Sequence, residues 1–213
     1  MASEPLISAP LVELRDRTIY RIGDSEPAVW LIDDLELGGI LVNAPIYSES
    51  LLEAIRAISK PAYLFLPSRH GAQDLDAWRA AGLETLTFEA EAPAIRAAGG
   101  EIDIAFNRKQ RLSRTIDFLP MAGVTDGTCA LRLKNLPGVV FFGPALAPGA
   151  DGWPTLIQNP EDHSFEARLF GALGVKDLKF AYAFCDRFDP ATTQFGPDAD
   201  QHIQARIEAV FDD

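Results

Sequence analysis

Apolar runs of strand period open this chain of 213 residues. Thr18–Gly23 and Ala28–Asp33 are rich in β-branched and aromatic residues, and the polar turn Asp24-Ser25-Glu26-Pro27 separates them. That pattern predicts a hairpin. Gly38–Asn43 reads as a third strand, ended by Ala44-Pro45. The period then changes: Leu51, Leu52, Ile55 and Ile58 fall on one helical face, and Ser50-x-x-Glu53 has the spacing of a capping box. Ala62–Leu66 is a continuous apolar run, the mark of a strand covered on both faces. A polar loop, Pro67–Gly71, leads to a helix over Asp74–Ala81 that Gly82 closes. Glu84–Phe88 reads as a strand and Pro93–Ala98 as a short helix. The βαβα order predicts parallel strands with helices packed outside.

The second half returns to strands. Asp103–Phe106 and Thr115–Leu119 flank Asn107-Arg108-Lys109-Gln110-Arg111, which predicts a hairpin with a basic tip. Thr128–Leu133 and Val139–Phe142 are two further strands, joined by Asn135-Leu136-Pro137-Gly138. A loop rich in Pro and Gly runs from Pro144 to Pro154. A helix over Glu161–Leu173, a strand over Phe180–Cys185 and an amphipathic helix over Asp198–Phe211 complete the chain. Each half thus reads as strands, helix, strand, helix, and no repeat of fixed spacing is present. The expected class is α/β, with two mixed β-sheets between outer helices. A single domain over residues 1–213 is expected, with residues 1–17 as an extension or edge segment.

Composition narrows the partners. The chain carries 19 Lys and Arg against 31 Asp and Glu, a formal charge of −12. Phosphate backbones and anionic membranes both require a clustered cationic footprint, so nucleic acid and membrane partners are not expected. With 47% hydrophobic and 23% charged residues the composition is that of a folded domain. Met1-Ala2-Ser3-Glu4-Pro5-Leu6 lacks the apolar core of a signal peptide, and no window reaches the length of a membrane span. Cys129 and Cys185 are too few for a disulfide framework. A reducing, cytoplasmic setting is expected, with both thiols buried; their neighbouring strands leave a redox pair open as the alternative.

Four stretches carry a family resemblance. Tyr63-Leu64-Phe65-Leu66-Pro67-Ser68-Arg69-His70-Gly71-Ala72-Gln73, followed by Asp76-Ala77-Trp78, looks like an apolar strand running into a His-x-His-x-Asp-His metal loop. Gly123-Val124-Thr125-Asp126-Gly127-Thr128 is similar to a Gly-His-Thr-Pro-Gly-Ser turn. Val139-Val140-Phe141-Phe142-Gly143-Pro144 looks like a strand ending in Gly-Asp, and Gly39–Asn43 like an upstream strand that ends in Asp. In this order they resemble the metallo-β-lactamase superfamily from about residue 18 to residue 211. The resemblance implies an αββα sandwich and a zinc or iron centre.

The ligand positions do not follow. Where the family motif has His-x-His-x-Asp-His, this chain has Ser68, His70, Ala72 and Gln73, and only His70 is a ligand type. The next His falls on Val124, and the bridging Asp on Pro144. The last His falls near Cys185-Asp186, and neither His163 nor His202 sits in a matching motif. Zinc needs at least three N, O or S donors from the protein, so neither zinc nor iron is expected. The resemblance therefore implies a degenerate member, a binding or regulatory module acting on an unknown small molecule or protein. The alternative is a divergent hydrolase of a small ester, thioester or lactone, metal-free or with one metal.

His70 and Asp126 are the catalytic candidates for that alternative. Ser68, His70, Gln73, Asp74, Asp126, Asp186 and Trp153 are the candidate pocket residues. A dyad of Ser68 and His70 and a one-metal site of His70, Asp126 and Asp186 are the chemically specific versions. Trp153, in the Pro/Gly loop, packs in the core or lines a pocket or dimer surface, and a homodimer is compatible with the chain. The cationic run Arg108–Arg114 is read as a solvated turn, with docking of an acidic partner or anion as its alternative.

Overall fold

Alternation along the first third builds a sheet in the computed structural model, which describes residues 6–108 and 110–212. What the pattern predicts for residues 1–5 and for Lys109 lies outside the described residues. Strands β1 (Val12–Glu13), β2 (Arg17–Ile22), β3 (Val29–Asp34) and β4 (Gly38–Val42) pair antiparallel in chain order. The predicted first hairpin is β2–β3. After β4 the chain crosses over through α1 (Glu49–Ile58), β5 (Pro61–Leu66), α2 (Leu75–Ala80), β6 (Glu84–Phe88) and α3 (Ala92–Ala97). β4, β5 and β6 are parallel, as the βαβα order predicts. β7 (Ile104–Phe106) completes a seven-stranded sheet.

The chain divides into two compact units. The first, Met1–Thr87 with Ala92–Ala105, holds nearly all of the seven-stranded sheet and α1–α3. On one sheet face Val29, Leu31, Leu41, Leu64 and Leu66 pack with Leu52 and Ile55 of α1, Trp78 of α2 and Ile95 of α3. Trp78 is fully buried, and its indole N–H donates to the Pro45 carbonyl at 2.8 Å, so its one polar group is satisfied. The start of α1 differs from the expected capping box. Ser48, not Ser50, is the N-cap, and its hydroxyl accepts the Leu51 N–H at 3.2 Å. Ser50 lies inside the first turn, where the helix already begins at Glu49.

The second unit, Phe88–Glu91 with Phe106–Asp213, holds a four-stranded sheet. Its strands are β8 (Ile116–Pro120), β9 (Cys129–Leu133), β10 (Val139–Gly143) and β13 (Tyr182–Cys185), in the order β13-β10-β9-β8. Only β10–β13 is parallel. Two helices, α4 (Phe165–Leu173) and α5 (Ala199–Asp212), supply Ala172, Ile203 and Ile207 to a core with Ala130, Val140, Phe142 and Ala183. The Pro/Gly loop contains a small ladder, β11 (Ala147–Pro148) with β12 (Pro154–Thr155).

The predicted basic hairpin is absent. β7 lies in the seven-stranded sheet, whereas β8 is an edge of the four-stranded one. Alternation identifies each segment as a strand but carries no information about its neighbour. What holds β7's start is Asp103, whose carboxylate accepts the Thr85 N–H at 2.9 Å and hydroxyl at 2.8 Å and pairs with Arg79 at 2.7 Å. The redox pair is also excluded by position. Cys185 lies on β13 and Cys129 on β9, on opposite sides of β10. Two strand spacings, about 9–10 Å, exceed the reach of a disulfide. Both thiols are free and buried, and burial pushes both up from the ordinary thiol range. Among the described residues no helix is long and apolar enough to cross a membrane.

Candidate functional site

The loop between β5 and α2 is the stretch that matches the metal motif, and its side chains serve the backbone. Ser68 is fully buried in an extended conformation, and its hydroxyl accepts the His70 N–H at 3.3 Å. It caps a 3-10 turn over Arg69–Gly71. The Ser68–His70 contact is therefore a backbone cap, and the imidazole of His70 is on the exposed side of the turn. A buried capping hydroxyl does not make a nucleophile with an exposed base.

Gly71 closes the loop. A Cβ placed there would lie 1.9 Å from Asn43 Oδ1 and 2.8 Å from Asn43 Cγ. Asn43 stands at the end of β4 in the left-handed region (φ 64°), which Asn tolerates better than most residues. Its buried amide donates to the Ala28 carbonyl at 2.9 Å. The Ala44 N–H meanwhile donates to the Gly71 carbonyl at 2.9 Å. Asn43 and Gly71 thus clamp the end of β4 to the turn. Sequence reasoning missed the clamp; the available signal was an Asn at a strand end, opposite a Gly inside the loop.

Asp74 and Gln73 follow. Asp74 also has a positive φ (46°) and is exposed, and its carboxylate accepts the Tyr47 N–H at 2.9 Å. Its backbone carbonyl takes the Ala77 and Trp78 N–H groups of α2. Gln73 is half-buried. Arg69, Ala72, Asp74, Leu75, Ile95 and Gly100 line a cleft of about 510 Å³ within the first unit, on the α2 and α3 side of this loop.

In the second unit the Gly123–Thr128 turn is packed in the same way. The Thr125 N–H donates to Thr128 Oγ1 at 2.9 Å, and the two hydroxyls are 2.7 Å apart. The Gly127 N–H donates to the fully buried carboxylate of Glu91 at 3.0 Å. Val124 and exposed Asp126 occupy the loop between them. Gly123, at φ 138°, lies against Arg168, whose Cγ would be 2.2 Å from a Cβ there. Arg168 is 2% exposed. Its guanidinium bonds Asp162 at 2.6 Å, the Ile157 carbonyl at 2.5 Å and the Ala145 carbonyl at 2.7 Å. A lone Arg among the apolar positions of α4 was the sequence signal for this fork.

The remaining candidates are structural in their contacts. Asp186 is buried just beyond β13, and its N–H donates to the Gly143 carbonyl at 2.9 Å. Pro144 follows directly and offers no donor. Trp153 is half-buried and stacks on His202, with ring centroids 4.0 Å apart.

The group implied by the family resemblance is zinc, and these residues do not fit it. Ser68 is committed to a cap, and Ala72, Val124 and Pro144 carry no donor. Among the described residues no three His, Cys, Asp or Glu side chains stand where they could hold a metal ion.

No family model and no curated protein matches the chain. Solved structures do. A metallo-β-lactamase from Pontibacter korlensis superposes with a TM-score of 0.70 at 11% identity, over 94% of this chain and 98% of that one. BJP-1, a subclass B3 metallo-β-lactamase of Bradyrhizobium japonicum, gives 0.63 at 16% identity, over 96% and 93%. A metallo-β-lactamase of Cronobacter sakazakii described by a HARLDQ motif gives 0.64 at 14% identity, over 91% and 90%. Laid on Ser68–Gln73, those six letters agree with this chain only at the final Gln. The chain has the metallo-β-lactamase fold.

Proposed function

We propose that this protein is a metallo-β-lactamase-fold binding or regulatory module that has given up metal-dependent hydrolysis. The observation that carries the reading is the loop Ser68–Gln73. Of its four positions for metal donors only His70 is a ligand type: Ser68 is a buried cap, Ala72 carries no donor, and Gly71, between His70 and Ala72, has no room for a side chain against Asn43. A hydrolase of this fold draws its nucleophile from metal-bound water, and restoring donors here would require more than exchanging residues, because Ser68 and Gly71 hold the backbone. The cleft lined by Arg69, Ala72, Asp74 and Leu75 supports the binding role, since its volume of about 510 Å³ lies in the range of small-molecule sites.

Hydrolysis of ester, thioester, lactone and phosphodiester substrates tests the reading. With added zinc and with chelator, no turnover above the uncatalysed rate is expected. Zinc-dependent turnover contradicts the proposal. Turnover that survives chelation and disappears in both His70→Ala and Asp126→Ala replaces it with a metal-free hydrolase.

A further inference from the structure

One cation expected at a hairpin tip, Arg111, instead bridges onto β8, the edge strand of the four-stranded sheet. Residues 107–134 contain six Lys and Arg (Arg108, Lys109, Arg111, Arg114, Arg132, Lys134) and two Asp (Asp117, Asp126), a net +4 in a chain of −12. The rest of the chain therefore carries −16, and this segment is a local reversal of sign.

The β8–β9 register concentrates the charge further. Asp117 stands directly opposite Arg132, so the two side chains share one face. Lys134, two residues on, lies on that same face and reaches Asp117 Oδ1 with Nζ at 3.0 Å. Arg111 Nε approaches the same oxygen at 3.5 Å, where the chain bridges back onto β8. One carboxylate oxygen thus serves two cations, and a third faces it across the ladder. Arg132 Nε is buried and makes no hydrogen bond among the described residues. A buried N–H of a charged group requires an acceptor, and such an exception asks for an explanation. Asp117 offsets one of the three charges, which leaves room for a doubly charged oxyanion.

We infer that Arg111, Arg132 and Lys134 form a recognition site for a phosphate monoester, with Asp117 as an internal competitor that holds the cations in place until the anion arrives. Phosphate fits because its dianion matches the two unbalanced charges and because its several oxygens can take the guanidinium N–H groups together. This site is independent of the Ser68–Gln73 loop and of the fate of its metal positions.

The test is an NMR titration of the intact protein at neutral pH in chloride buffer, with inorganic phosphate, glycerol phosphate, a phosphoserine peptide and acetate as probes. Saturable binding of inorganic phosphate is expected in the millimolar range or tighter, with shifts centred on β8 and β9. The two monoesters distinguish a small metabolite from a modified peptide as the source. Lys134→Gln and Arg111→Gln are partly exposed changes that leave the fold intact, and each should weaken binding by about tenfold, the loss of one charge-assisted hydrogen bond. Asp117→Asn should tighten binding, an outcome that a purely structural ion pair does not produce. Arg56→Gln, in α1 of the other unit, should change nothing. The inference is overturned by acetate producing the same response as phosphate, by no saturable shift, or by Asp117→Asn weakening binding as much as the cation variants do.

Discussion

Replacing Gly71 by Ala adds a single methyl group, and the structure gives it no room. The new carbon would stand 1.9 Å from Asn43 Oδ1, 2.8 Å from Cγ and 3.2 Å from Cβ. Asn43 cannot swing aside freely, because its side chain is fully buried and its amide holds the Ala28 carbonyl at 2.9 Å. Moving it leaves a buried carbonyl unsatisfied, at about 1–3 kcal/mol. Leaving it in place overpacks the clamp at a similar cost, about 1–3 kcal/mol. We expect Gly71→Ala to lower stability by about 3 kcal/mol, which for a chain of this size corresponds to a fall in Tm of roughly 6–12 °C. Urea denaturation followed by circular dichroism, with calorimetry, measures both. Asn43→Gly should relieve the clash, since Gly accepts the positive φ and empties the space. Gly71→Ala in that background should then cost less than about 1 kcal/mol, a coupling of about 2 kcal/mol between neighbours. A single variant within about 0.5 kcal/mol of the parent, in the range of an ordinary surface change, would refute the clamp.

Three further outcomes are expected. Arg168→Ala leaves the Asp162 carboxylate buried without its partner and should destabilise by about 3–5 kcal/mol, measured by urea titration, with Asp162→Asn/Arg168→Met recovering much of the loss. The Arg79 guanidinium, first, and the Thr85 hydrogen bonds hold the Asp103 carboxyl well below the usual carboxylate range. A lowered folded value means stability present above the unfolded pKa of about 3.9 and lost as pH falls below it. The parent should therefore lose stability more steeply than Asp103→Asn between neutral pH and strong acid, and parallel curves would count against the assignment. Cys129 and Cys185, buried and pushed up from the ordinary thiol range, should stay unreactive to a thiol reagent at mildly alkaline pH and both react in denaturant.

Much of the architecture was legible in residue pattern. The alternating burial of β2 and the nearly continuous burial of β3 report cover on one or both faces, and burial is what the pattern encodes. Partner choice is not encoded there. Ile104–Phe106 and Ile116–Pro120 both alternate like strands, but Asp103 bound to Thr85 is what places the first beside β6. Helix starts failed for a similar reason. Ser48 and Ser50 are both competent caps, and the backbone conformation at Ser48 decides between them. At the candidate site the missing donors at positions 72, 124 and 144 could be read directly. What took their place could not. The Asn43–Gly71 clamp spans 28 positions of sequence and depends on a positive φ, and the cap made by Ser68 depends on its burial.

Metal content of the purified protein tests the central claim most directly. The measurement is zinc and iron per chain by elemental analysis, after equilibration with micromolar metal and removal of the excess. Well under one metal ion per chain is expected, with no change in Tm on adding zinc or chelator. One or two tightly held ions per chain, with a Tm that rises with zinc, would contradict it.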